Sequence, residues 1–480
     1  MRKLTWGRLV SGVAAVAIFA GGCSPVSWQA QAQTAPVPAL FTSDIHFEPF
    51  WDPAKAVRLA AAPVNEWEEI LAAPDSADRQ AQWAAVNQKC PTRGEDTNHA
   101  LLISSLHAIH AQAADAKFAV VSGDLIAHSF TCKFSAVFPH AQPGDSRAFV
   151  EKTIDFVMAS LREAIPGVPV YAQLGNNDSD CEDYQLDPNS EFLSAMGKTM
   201  TADLTAGERA AAEKDFTADG DYSAKLPAPI AHGRLLTLDD LFLSRRYATC
   251  GGKDDENAGK AQIAWLKTQL DMARHNKEQV WVMAHIPTGV DAYATAKKAA
   301  DFCTKGKAQM FLSSDSLDET LTAYSDVIRL VIFGHTHMDE LRLLHDTKQG
   351  VAVKLVSSIT PINGNNPSFT LAKVDPATAA LSDYRVIAAA DKTGSSWSEE
   401  YDFDQTYKEP AFTAASLSRV IAGFKDDPGA KTSASQSYIH NYGTGTGARE
   451  LNLFWPLYVC SLANNEAEPF RGCVCAILKP

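Results

Sequence analysis

The chain has 480 residues, of which 46% are hydrophobic, 21% charged and 9% aromatic, and its formal charge is −14 at pH 7. This profile belongs to a folded globular protein and excludes collagen, coiled coil, intrinsic disorder and a polytopic membrane protein. At about 100–200 residues per domain there is room for two or three domains, or for one large domain with insertions.

The N-terminus carries the first signal. Arg2, Lys3 and Arg8 precede an apolar run from Leu9 to Ala20. That is the layout of an export leader, and the run is too short to span a bilayer comfortably. Ala20-Gly21-Gly22-Cys23 has the look of a lipoprotein cleavage box. It predicts a leader over 1–22, a lipidated Cys23 and a tether over 23–38; a cut after Ala32 is the alternative. Either cut places the chain in the periplasm or outside the cell. The leader takes three of the 43 basic residues and none of the 57 acidic ones, which leaves −17. Such a surface repels nucleic acid and anionic lipid at long range. It still admits a phosphate ester where a metal ion dominates the local field.

Cysteine usage agrees with export. Apart from Cys23 there are Cys90, Cys132, Cys181, Cys250, Cys303, Cys460, Cys473 and Cys475. The even number predicts disulfides, with the connectivity open, and Cys473 and Cys475 are expected to bond to distant partners. The absence of any Cys-x-x-Cys pair argues against a thiolate zinc site.

From residue 39 to about 390, short apolar runs alternate with helical patterns. The runs are Ala39–Phe41, Lys117–Val121, Val168–Tyr171, Gln279–Met283, Val327–Phe333 and Val351–Val356, rich in β-branched and aromatic residues, and they predict buried strands. Helices are predicted over Ala100–Ala114, Ala148–Ala164 and Gly259–His275, where Ile263, Leu266 and Leu270 mark one face of the third. The alternation predicts an α/β fold, sheet layers covered by helices. Stretches 51–98, with a helical look around Asn65–Ala72, and 182–245 interrupt it, as caps over a site or as plain surface insertions. Residues 391–480 change texture and predict a small C-terminal subdomain.

Ligand-type residues follow the strands in five places: Asp44 and His46, Gly123-Asp124, Gly175-Asn176-Asn177-Asp178, His285, and Gly334-His335-Thr336-His337. Residues i and i+2 of extended chain point the same way, so Asp44 pairs with His46 and His335 with His337. Glycine before a ligand allows a sharp turn. Open α/β sheets collect ligands at the carboxyl ends of their strands. Imidazole with carboxylate suits Zn, Mn or Fe.

This ordered set resembles the calcineurin-like metallophosphoesterases. The resemblance spans about residues 40–390 and implies a four-layer β-sandwich flanked by helices. It further implies two divalent metal ions, zinc by first choice with manganese or iron as alternatives. Asp44, His46 and His337 would hold the first, Asn176, His285 and His335 the second, and Asp124 would bridge them. Asp124-Leu125-Ile126-Ala127-His128, His285-Ile286-Pro287-Thr288-Gly289 and Ser357-Ser358-Ile359-Thr360-Pro361 through Asn365-Asn366-Pro367 are similar to segments of acid sphingomyelinase-like phosphodiesterases. Gly-Asn-Asn-Asp is similar to endopolyphosphatases. Asn177 stands where many relatives have a proton-donating His, and an amide cannot give up a proton. His128 is the expected substitute, with Asn177 donating to a phosphoryl oxygen and Asp178 either orienting a histidine or capping a turn. No saposin-like lipid-binding module precedes the catalytic region, which disfavours a lipid substrate. The implied function is hydrolysis of a small phosphodiester by a metal-bridged hydroxide. The alternatives are a polyphosphatase or phosphomonoesterase, or a metal-binding protein that has lost its acid.

Overall fold

The alternation of apolar runs and helices builds two six-stranded sheets. The computed structural model describes residues 35–298, 302–344, 350–446 and 448–478; the leader, Cys23 and most of the tether lie outside them. In chain order the strands are β1 (Val37–Thr42), β2 (Ala119–Val121), β3 (Val170–Ala172), β4 (Tyr222–Lys225), β5 (Gly233–Thr237) and β6 (Gln279–Met283). They continue with β7 (Ile328–Phe333), β8 (Glu340–Leu344), β9 (Val351–Leu355), β10 (Ser368–Val374), β11 (Leu381–Ala389) and β12 (Trp397–Asp402). The first sheet has the order β12-β11-β10-β1-β2-β3 and the second β4-β5-β6-β7-β9-β8.

Parallel pairing brings the ligand-bearing loops to one edge. β1, β2 and β3 run parallel, with Phe41 opposite Val120 and Val120 opposite Tyr171. β5, β6, β7 and β9 do likewise, with Val282 opposite Val331 and Phe333 opposite Leu355. The carboxyl ends of each parallel set therefore lie side by side. The sheets share one apolar core. Phe41 and Phe118 each place their ring 5.7 Å from that of Trp281, whose indole N–H donates to Ala379 O at 2.7 Å.

Helices cover the sheets where the periodicity predicts them, with ends set by caps. Asn98 and Asp255 accept backbone N–H groups with their side chains, so the helices run His99–Gln112 and Glu256–Asn276. The third is Asp145–Ala164, which buries Phe149, Ile154, Val157 and Leu161. Stretch 51–98 is helical over Pro53–Ala61, Trp67–Ala72 and Arg79–Lys89. Stretch 182–245 does more than cover a surface: it supplies β4 and β5, the edge of the second sheet. β12 pairs with β11, so residues 397–402 extend the first sheet, and six short helices between Phe403 and Ile477 follow.

The eight cysteines form four disulfides: Cys90–Cys132, Cys181–Cys250, Cys303–Cys475 and Cys460–Cys473. Cys473 and Cys475 thus go to different partners. No helix among the described residues is long and apolar enough to cross a membrane.

Candidate metal centre

The seven candidate metal ligands and His128 meet at that edge. Candidate ligand atoms of Asp44, His46, Asp124 and His337 lie within 4.8 Å of one another, as do those of Asp124, His285 and His335. Asp124 belongs to both groups. Its Oδ2 lies 3.3 Å from His46 Nε2 and 3.2 Å from His285 Nε2, and Asp44 Oδ1 lies 3.3 Å from His337 Nε2. Asn176 joins the second group, its Oδ1 2.8 Å from His335 Nδ1.

The convergence has a different cause from strand alternation. Asp44, His46, Asp124, His335 and His337 all have left-handed backbone, with φ of 48°, 47°, 57°, 71° and 66°. Such conformations are sparsely populated for residues with a Cβ and persist only when the surroundings enforce them. Here the loops are laced together. Asp44 N donates to Gly123 O and His46 N to Asp124 O, while His335 N reaches both Asp44 carboxylate oxygens at 3.1 Å. The spacing also divides: His335 goes to one group and His337 to the other. Two glycines earn their place by close approach rather than by turning. A Cβ on Gly175 would stand 2.2 Å from Asp124 Oδ1, and one on Gly334 would stand 2.1 Å from Ser43 Oγ.

The donor set fits divalent cations. His46 Nδ1 donates to Ile126 O at 2.9 Å and His285 Nδ1 to Ser122 O at 2.6 Å, which leaves each Nε2 as a lone pair. Both Nε2 atoms and His337 Nδ1 are buried without a hydrogen-bond partner. Two bare ring nitrogens facing the Asp124 carboxylate repel it unless positive charge sits between them. The electrostatics agree. Burial alone would lower the His46 and His285 rings, but Asp124 overrides it, raising His46 well above its ordinary value and pushing His285 up to about 10. Burial raises Asp124 and the neighbouring His285 and His46 lower it well below the usual range. His335 and His337 are brought down to about 3, chiefly by burial, so both rings are neutral and able to ligate. The field between the carboxylates favours positive charge there.

Other expected residues settle as follows. Asn177 donates its backbone N–H to Asp124 Oδ1 and its Nδ2 to Asp124 Oδ2, both at 2.9 Å; one amide hydrogen is left for a substrate. Asp178 orients no histidine among the described residues. It accepts from Leu125 N, Ile126 N and Gly175 N, pinning the Asp124 loop to the Asn176 loop. The 357–367 loop braces the centre: Thr360 N donates to Asp44 O at 3.1 Å and Ser358 N to His337 O at 3.3 Å.

His128 stacks on His46 with ring centres 4.0 Å apart, and its side chain is 30% exposed. Its Nδ1 lies 3.0 Å from Asp96 Oδ1, and Asp96 also accepts from His128 N at 2.9 Å and Thr360 Oγ1 at 3.1 Å. Beneath them Lys133 is buried between Glu48 and Asp96. Asp96, Glu48, Lys133 and Tyr184, whose OH is 3.3 Å from His335 Nε2, were not legible as site residues. The one available signal was a charge inside an apolar run, as in Phe47-Glu48-Pro49-Phe50 and Cys132-Lys133-Phe134.

The centre opens into a cavity of about 1460 Å³ lined by Asp96, Asp124, His128, Asn176, Asn177 and Tyr184, among others. A family model described as calcineurin-like phosphoesterase matches residues 37–339. A cyclic GMP-AMP phosphodiesterase SMPDL3A of Mus musculus is 27% identical over 398 residues, 79% of this chain and 82% of that protein. An acid sphingomyelinase-like phosphodiesterase 3b of Homo sapiens is 24% identical over 408 residues, 79% of this chain and 81% of that one. A crystal structure of a dimetal phosphatase from Danio rerio aligns with a TM-score of 0.42 at 14% identity, covering 79% of this chain and all of that one.

Proposed function

The chain belongs to the calcineurin-like phosphoesterase family and is a phosphate-ester hydrolase, and from that premise we propose that it cleaves a small phosphodiester at a two-cation centre. Asp44, His46 and His337 would hold one cation and Asn176, His285 and His335 the other, with Asp124 common to both groups. The observation that carries this reading is Asp124 shared between two groups in which His46 Nε2, His285 Nε2 and His337 Nδ1 are buried and unpartnered. Zinc suits the imidazole-rich donor set, with manganese or iron as alternatives. When bound, the cations lower the pKa of a water and offset charge on the phosphoryl oxygens.

The chain's own residues do the rest. Asn177 offers its remaining amide hydrogen to a phosphoryl oxygen beside Asp124. His128 hands a proton to the departing oxygen. Asp96 fixes its Nδ1–H, so the other ring nitrogen is the one that meets substrate. A cavity of this size accepts groups on both sides of the phosphorus, and two of the relatives are named phosphodiesterases; both favour a diester over a monoester. Four disulfides support an oxidising, exported location.

The test is metal content together with turnover. The wild-type protein is expected to carry two divalent ions and to hydrolyse bis-p-nitrophenyl phosphate faster than p-nitrophenyl phosphate. Asp124→Asn should lose both ions and at least roughly a thousandfold in rate. A full metal complement in that variant would overturn the assignment.

A further inference from the structure

Away from the ligand groups, two carboxylates and two amides are buried together beside β4 and β5. Asp221 stands immediately before β4 and Asp239 two residues past β5; they are 0% and 1% exposed. Gln173, just after β3, and Gln262, on the helix Glu256–Asn276, are both 0% exposed. Gln262 Nε2 donates to Asp221 Oδ1 at 2.8 Å and to Asp239 O at 2.9 Å, and Asp239 N donates to Asp221 Oδ1 at 3.0 Å. Gln173 Nε2 donates to Gly220 O at 3.1 Å. Gly220 has φ of 77°, and a Cβ on it would stand 2.9 Å from Asp239 Oδ2. The backbone beside Asp221 therefore closes on the Asp239 carboxylate.

These groups lack a counter-charge. Asp221 Oδ2, both Asp239 carboxylate oxygens, Gln173 Oε1 and Gln262 Oε1 are buried without a hydrogen-bond partner. No ion pair reaches Asp221 or Asp239 among the described residues, and the donors on Asp221 Oδ1 are neutral N–H groups. Buried carboxylates left unpaired are costly. Burial first, then Asp219 for Asp221 and Asp240 for Asp239, pushes both carboxyls well above their ordinary value. The free acceptors are all oxygen, with no nitrogen or sulfur among them. That is the donor set of a hard cation, and two carboxylates balance a charge of +2. Calcium tolerates such a mixed, irregular set of oxygens better than magnesium, which demands a near-ideal octahedron.

We propose that Asp221, Asp239, Gln173 and Gln262 bind a calcium ion, at a site separate from the two-cation centre. The ion ties the β4–β5 hairpin to the end of β3 and to the helix Glu256–Asn276. Its influence reaches the centre through the next residue. Asp240 Oδ1 accepts from His285 N at 3.1 Å and from Ile286 N at 2.9 Å, so the turn that the ion steadies also holds the backbone of a candidate ligand.

The experiment counts calcium in the full chain and reads its effect on unfolding. Protein purified with calcium present is passed into calcium-free buffer containing zinc and its ions are measured by elemental analysis. Urea unfolding is then followed in zinc, with and without about 2 mM calcium. The wild type is expected to retain one calcium per chain and to unfold at a urea midpoint higher by roughly 0.5–1 M when calcium is added. Asp124→Asn, which disables the two-cation centre, should keep both the calcium and the shift. Asp239→Asn should lose both. Gln173→Ala keeps the two carboxylates and should raise the calcium needed for half the shift by at least roughly tenfold, which serves if Asp239→Asn does not fold. A wild-type chain without calcium, whose midpoint moves by less than about 0.1 M, overturns the proposal and leaves protons as the neutralising charge. A shift abolished by Asp124→Asn and preserved by Asp239→Asn also overturns it, since calcium would then be acting at the centre.

Discussion

His128 and Asp96 make the sharpest prediction about individual side chains. A positioned general acid is worth about 10²–10⁴ in rate when the leaving group needs a proton. p-Nitrophenolate leaves without one. His128→Asn is therefore expected to slow a diester with an alkoxide leaving group by about that factor and bis-p-nitrophenyl phosphate far less. Equal losses on both would show that the ring only packs against His46. Asp96→Asn should follow the same pattern at smaller amplitude, because it removes the carboxylate that holds Nδ1–H and not the ring. His128 was legible in the sequence because it sits at a fixed distance after Gly123-Asp124 and resembles a family segment. Asp96 was not: it lies in the polar run Arg93-Gly94-Glu95-Asp96, and its role exists only once residues 128 and 360 are folded against it.

At the level of elements, the helix Ser316–Ala323 carries a pH-sensitive contact away from the ligands. Burial, with Asp315, Glu466 and Glu319 nearby, pushes Asp318 up to about 7, against a partly compensating hydrogen bond with Thr288. A raised acid pKa means that the folded chain keeps a proton which the unfolded chain gives up near its ordinary 3.8. Asp318 thus supports folding fully below about pH 4, and that support is lost as pH rises toward 7. Asp318→Asn should accordingly be more stable than wild type at pH 8, by about 1–3 kcal/mol, and indistinguishable from it near pH 4 in urea denaturation. The strands that deliver ligands were legible because they are continuous apolar runs. β8 was not, since Glu340 and Arg342 interrupt it; burial of their mutual ion pair lets the strand sit inside. β4 and β5 were read as part of an insertion because each is short and flanked by polar sequence.

Across the whole molecule, long-range ties bring distant segments to one place. The Cys303–Cys475 disulfide joins residues 172 apart and fastens the helix Ala467–Ile477 to the segment between β6 and β7. Closing a loop of that length removes much freedom from the unfolded chain. The double variant Cys303→Ser, Cys475→Ser is expected to lose about 2–4 kcal/mol of stability while keeping both metal ions, as read by thermal unfolding and metal analysis. Loss of the ions as well would mean that the C-terminal helices shape the centre.

The α/β architecture was legible from alternation alone. The meeting of the two sheets was not, because it depends on how close the Gly334 backbone comes to Ser43 and Asp44, with no side chain between them. In a survey of every single substitution at every position, Gly175 and Gly334 will rank with the ligands themselves as intolerant. A reader of such a survey would count them as chemical participants. Their part is to leave space: they are the clearance that lets charged groups from separate strands close on one place.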